Sequence, residues 1–133
     1  MPAPATAVDQ QIVWKHDEMR RFALALIREA VKLASAGVHK FTTDIVPDAE
    51  RGSGTGIAGS TATQLKNAHV IEHVGVWSGD KFYPERVPST RDGRKSAYVN
   101  VYQLTSAGVG REFLARNDQP APAPETYEQT PLI

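Results

Sequence analysis

Cysteine is absent from this 133-residue chain. Neither a disulfide nor a thiolate metal cage can brace it, so packing alone must hold the fold, as suits a reducing cytoplasm. Net charge is absent too, with 15 basic against 15 acidic side chains, and the total therefore exerts no general pull toward nucleic acid or acidic lipid. Nowhere do about 18 apolar residues run together, and the opening MPAPATAVDQQ has neither a basic n-region nor an apolar h-region, so membrane spanning and secretion are not expected. The length suffices for one buried core and excludes a cofactor domain joined to a substrate domain.

The charge that is present is unevenly spread. Between Lys81 and Lys95 stand five bases, Lys81, Arg86, Arg91, Arg94 and Lys95, against two acids, Glu85 and Asp92. From Asn117 to Ile133 the acids Asp118, Glu125 and Glu128 have no base among them. One stretch is positive where another is negative. Residues 1–14 read as a flexible N-terminal arm, 15–116 as a single domain and 117–133 as a disordered, Pro-rich tail.

Periodicity supplies the elements. Met19, Phe22, Ala23, Leu26, Ile27, Ala30, Leu33 and Ala34 recur at three- and four-residue spacing, which predicts an amphipathic helix over 17–36, capped by Asp17 and stopped by Gly37. VHKFTTDIVPDAERGSG then reads as a short extended piece and a brief helix capped by Thr42 or Thr43; Pro47 keeps that helix short or irregular. Thr61 and Gln64 have capping-box spacing with Leu65 and Ala68 facing inward, predicting a helix over about 60–68. The period then changes to two. VIEHVGVWSGDKFY and AYVNVYQL read as two strands of one hairpin, joined by the charged loop PERVPSTRDGRK with its Asp92-Gly93 turn. A final helix begins after Thr105 as its cap, with Val109, Phe113 and Leu114 inward; Gly108 and Gly110 each lower its propensity by about 1 kcal/mol, which tertiary contacts must offset.

Two motifs invite stronger chemistry and fail on context. GSGTGIAGST, Gly52 to Thr61, contains GxGxxG and nearly a P-loop. AspAlaGluArg precedes it where a dinucleotide fingerprint needs a buried strand, and Ser60 stands where a P-loop needs lysine. Glycine's freedom in a turn between two helices accounts for the run. His69-Val-Ile-Glu72-His73 matches the spacing of inverted zinc peptidases, which needs both histidines on one sustained helix. Here the helix is expected to end near His69, and on a strand the two histidines would lie about 13 Å apart, too far for one ion. No nucleophile signature is present, and the chain reads as a non-enzyme without cofactor or metal.

The element order, long helix, short helix, helix, strand, basic loop, strand, helix, resembles that of winged-helix DNA-binding domains. The sharpest piece is YQLTSAGVGREFL, Tyr102 to Leu114, which is similar to the YxLTxxG signature after the wing in MarR-type and PadR-type regulators: a strand ends at Leu104, Thr105 caps a helix and Gly108 lets that helix pack closely. Element order alone carries the resemblance over the rest of 17–116. A looser likeness is to small phage and prophage winged-helix proteins, in which FTT introduces the second helix.

The resemblance implies an α+β winged helix-turn-helix fold with a three-helix core, a two-stranded wing and a C-terminal helix. It also implies double-stranded DNA binding by a small transcription regulator of phage, prophage or bacterial origin, cytoplasmic and nucleoid-associated. The helix at 60–69 would then enter the major groove, offering Ser60, Thr61, Thr63, Gln64, Lys66 and Asn67 as exposed hydrogen-bonding groups. Gln64 and Asn67 suit adenine, and Lys66 suits phosphate. Arg86, Arg91, Arg94 and Lys95 on the wing suit phosphate or minor-groove contact. The alternative is a winged-helix protein adaptor without DNA binding, favoured by zero net charge and by a single lysine on the helix. Pairing of two copies through the long or the closing helix stays open, as does a protein partner for the tail, whose QTPLI is similar to clamp-docking peptides.

Overall fold

Helix α1, Asp17–Ser35, forms over the expected residues and is the axis of the core. Its cap is His16, whose side chain makes no capping bond; Asp17, expected as the cap, is the first helical residue and with Glu18 places negative charge at the positive end of the helix dipole. The stop is the expected glycine. Gly37 takes φ +86° and donates to the Ala34 carbonyl at 3.0 Å, while Val38 donates to Leu33 at 2.8 Å, the paired closure of a Schellman motif. Six successive residues, Phe22 to Ile27, are buried, so the apolar stripe widens to the whole circumference. Other elements pack on α1 from several sides.

The computed structural model describes residues 12, 14–52, 56–91 and 98–117, and these form an α+β arrangement of three helices and three two-stranded antiparallel ladders. The brief helix expected after α1 is two single 3-10 turns, Thr43–Ile45 and Asp48–Glu50, separated by Pro47. Thr42 caps the first by accepting from the Asp44 N–H at 3.1 Å. The buried Arg51 fastens this segment to α1. Its guanidinium lies 5.2 Å over the Phe22 ring and donates to the carbonyls of Thr43 and Val46 at 2.8 and 3.2 Å.

Helix α2 spans Ile57–Asn67, beginning about three residues before the expected start, with Gly56 at φ +81° as its cap. Gly59 therefore lies inside the helix and Thr61 on its second turn, where a capping box cannot form. The helix closes with a second Schellman pattern: His69 at φ 64° donates to Lys66 and Val70 donates to Leu65, both at 3.0 Å. Val70 is thereby drawn into the core beside Leu65 and Ile71.

The strand region is more divided than one hairpin. β1 (Ile71–His73) pairs with β6 (Tyr102–Leu104), β2 (Gly75–Ser78) with β3 (Lys81–Pro84), and β4 (Arg86–Pro88) with β5 (Tyr98–Asn100). Three single residues separate these ladders and bond in a ring. Val74 donates to Val101 at 2.9 Å, Val101 to Glu85 at 3.0 Å, and Glu85 to Val74 at 2.7 Å. Each junction residue gives one backbone bond and takes one, so three ladders meet with no orphaned polar group at the centre. Gly79 at φ +65° opens the tight β2–β3 turn in the type II′ manner.

Helix α3, Val109–Asn117, packs on α1 and is tied at its end by Arg20, which donates to the Asn117 carbonyl at 2.9 Å. Thr105 does not cap it. The Thr105 hydroxyl instead donates to the His69 carbonyl at 2.6 Å, binding the end of β6 to the end of α2. Nor is Gly108 the close contact: a Cβ there would meet open space, whereas one on Gly110 would lie 2.7 Å from Val31 Cγ2. No helix among the described residues is long and apolar enough to cross a membrane.

Candidate nucleic-acid interface

The inward positions of α2 decide which of its side chains face outward. Thr61 and Ala62 turn into the core with Leu65, leaving Gly59, Ser60, Thr63, Lys66 and Asn67 exposed and Gln64 half-buried. Thr61 is thus a correction. Expected outside, it is 0% exposed, and its Oγ1 has no hydrogen-bond partner among the described residues. Thr61 lies one turn before the inward Leu65 and so on the same face, a position that its polar side chain conceals in the sequence.

The two extra ladders lie along α2. Arg86, Tyr98 and Asn100 of the β4–β5 pair share a cleft of about 310 Å³ with Ala58, Gly59 and Ala62 in the first half of the helix. Arg86 is exposed and oriented across the ladder, its Nε donating to Asn100 Oδ1 at 3.2 Å. Tyr98, directly opposite Pro88, is 61% exposed. At the other end, Lys66, Asn67 and His69 border a second notch with Trp77 and Phe82 of the β2–β3 hairpin.

The chain beyond β4 is clamped to the first 3-10 turn. Asp44 Oδ2 accepts from both Ser89 Oγ and the Thr90 N–H at 2.8 Å, and Ser89 Oγ in turn accepts from the Arg91 N–H at 3.3 Å. Arg91 is half-buried at this anchored base. Arg94 and Lys95 lie outside the described residues. Lys40 and Glu85, 3.3 Å apart, add an exposed ion pair between the segment after α1 and the junction.

His73 faces Tyr102 across β1–β6, with ring centroids 4.9 Å apart, and is half-buried. Desolvation, and secondarily the positive charge of Lys66, lower its pKa from the ordinary value of 6.5. His69 ends α2 while His73 lies in β1, so the two do not share a helix. The glycine run comes after the 3-10 turn Asp48–Glu50 and not after a strand. Sequence reasoning missed Asp44, Asn100 and Trp77. The alternation Tyr98-Val99-Asn100 marks Asn100 as outward, whereas nothing local to Asp44 announces a partner more than 40 residues away.

Compared with protein-family models, with curated proteins and with solved structures, the chain matches none.

Proposed function

We propose that the chain is a double-stranded DNA-binding protein of winged-helix type, acting as a small transcription regulator, with α2 as the helix that enters the major groove and the β4–β5 pair as its wing. One observation carries the reading: Arg86 and Asn100 share a cleft with Ala58, Gly59 and Ala62 of α2, so the β4–β5 pair lies against the first half of that helix, while Ser60, Thr63 and Gln64 border a neighbouring pocket with Lys15 and His16. The Asp44 clamp supports it by holding the base of the wing against the segment before α2. Thr105, bonded to the His69 carbonyl, and Gly110, packed against Val31, add to it by tying β6 to α2 and α3 to α1.

In this reading Ser60, Thr63, Gln64 and Asn67 reach base edges or sugar, and Lys66 and Arg86 meet phosphate. Arg91 at the anchored base, with Arg94 and Lys95 further along the same segment, extends the phosphate contacts. Four or five neutralised phosphates give log affinity a slope against log salt of about −4. Duplex titrations at two or more salt concentrations, with and without replacement of Arg91, Arg94 and Lys95 by Ala, test this. The triple variant should bind all duplexes more weakly and flatten the slope by two or three; unchanged titrations would remove the wing from the interface.

A further inference from the structure

Trp77 is 69% exposed, on a hairpin that an elementary wing does not need. Its cross-strand partner is Phe82, the two ring centroids 5.3 Å apart, and Phe82 in turn covers Gly75, where a Cβ would lie 2.6 Å from the Phe82 ring. Phe82 therefore lies over the Gly75 backbone, with Trp77 against it and largely exposed. It closes a notch of about 450 Å³ whose other wall is the end of α2, with Lys66, Asn67 and His69. The one carboxylate lining it, Glu72, already accepts from Gln103 Nε2 at 2.6 Å.

This chemistry narrows the occupant. The apolar groups of the hairpin are divided between its two faces, Val76 and Tyr83 on one and Trp77 and Phe82 on the other, by the alternation of the strands. Neither face offers the contiguous apolar patch that a protein partner covers. Lys81 also lies 5.5 Å over the Tyr83 ring, placing charge on the first face. An aromatic platform with an ammonium and an amide at its rim, and its carboxylate engaged, matches a nucleobase attached to a phosphate. We infer that the notch between α2 and the β2–β3 hairpin binds an unpaired nucleobase, stacked on Trp77, with Lys66 on the adjoining phosphate and Asn67 at the base edge. The inference rests on the reading of α2 as the nucleic-acid helix and adds to it a preference for duplexes that end in, or contain, unpaired bases.

The test uses the full chain with Trp14→Phe, so that Trp77 is the sole tryptophan, titrated with a blunt duplex, the same duplex carrying an oligothymidine overhang, and the overhang strand alone. Trp77 emission should be quenched by the tailed duplex and the single strand. The tailed duplex should bind about tenfold more tightly than the blunt one, as expected of one stacked base. In the otherwise unaltered chain, Trp77→Ala should erase that difference and Trp77→Phe should retain most of it; Trp77 is 69% exposed, so both variants should fold, checked by unaltered melting. Equal binding of blunt and tailed duplexes with silent Trp77 emission would overturn the inference and leave the duplex reading standing. Quenching by the single strand without any blunt-duplex binding would sustain the notch and overturn the duplex reading. No binding of any of the three would overturn both.

Discussion

Replacing a helical glycine by alanine has opposite consequences at two places in this chain. Gly59 and Gly110 both stand in the first turn of a helix, and at either the added methyl should contribute about 0.5–1 kcal/mol by restricting the unfolded backbone. At Gly59 a Cβ meets nothing within 4 Å, so the gain is retained. At Gly110 it would lie 2.7 Å from Val31 Cγ2 and 3.1 Å from Leu104 Cδ1. Val31 is β-branched and held on α1, so it cannot swing aside. Overpacking of this kind costs about 1–3 kcal/mol, which the backbone gain offsets only in part, leaving Gly110→Ala less stable than the parent by about 1 kcal/mol and by no more than about 2.5 kcal/mol. At about 4–8 °C per kcal/mol for a domain of this size, the two variants should melt roughly 10 °C apart, Gly59→Ala above the parent and Gly110→Ala below it. Thermal unfolding followed by far-ultraviolet circular dichroism reads both. Val31→Ala should recover part of the Gly110→Ala loss in the double variant, because the two share one contact. A Gly110→Ala protein melting at or above the parent would show that α3 does not press on α1 as described, and the reasoning would fail.

The left-handed residue that closes α2, the buried guanidinium and the half-buried imidazole each carry a further expected outcome. His69→Gly should raise stability by about 1 kcal/mol, since a non-glycine residue now holds the left-handed position; an unchanged or lower denaturant midpoint would contradict that strain. Arg51→Met removes the guanidinium from over Phe22 and deletes two charge-assisted bonds to carbonyls, so it should cost about 3 kcal/mol, and a loss under about 1 kcal/mol would show those contacts to be dispensable. His73 has a lowered native pKa, so between that value and 6.5 the unfolded chain binds more protons than the native one. Its contribution is therefore present above pH 6.5 and declines as pH falls toward the native value; a His73→Gln protein should melt with a flatter pH dependence there, and identical profiles would exclude His73 as a source.

Where a segment's fate depends on its own residues, it can be read from the chain. The apolar spacing of α1, its Gly37 stop and the Thr42 cap are local features, and each is found. Pro47 divides the segment after α1 into separate turns for an equally local reason. The start of α2 is displaced from its expected place because Thr61 and Gln64 have the spacing of a capping box while the glycines before them look like a loop. Gly59 is nonetheless helical, and burial of Ile57, Thr61 and Leu65 along one face outweighs a propensity cost of about 1 kcal/mol. Thr105 shows the converse. A hydroxyl well placed in sequence to cap α3 is taken instead by the His69 carbonyl, 36 residues earlier, and no local pattern records that partner.

The strands show why a continuous pattern can conceal a branch. VIEHVGVW and YVNVYQL alternate well enough to pass for two uninterrupted strands, but Val101 and Tyr102 are both buried, and adjacent buried residues mark the point where a strand changes partners. Val74 and Val101 are paired to each other and to Glu85, so the chain from Gly75 to Pro84 leaves the main ladder and returns without an unpaired backbone group. A plain two-stranded wing would flank α2 along one stretch only. The branch gives β4–β5 to its first half and β2–β3 to its end, which separates a basic hairpin from an aromatic one along a single helix. Breaking the junction should therefore affect both flanks together. Gly75→Ala would drive a methyl into the Tyr83 carbonyl and within 2.6 Å of the Phe82 ring, and the backbone carbonyl cannot be relieved by a rotamer change. Displacing β3 in this way also displaces Glu85, the donor to Val74 and acceptor from Val101, so disturbance of β2–β3 is transmitted to the base of β4.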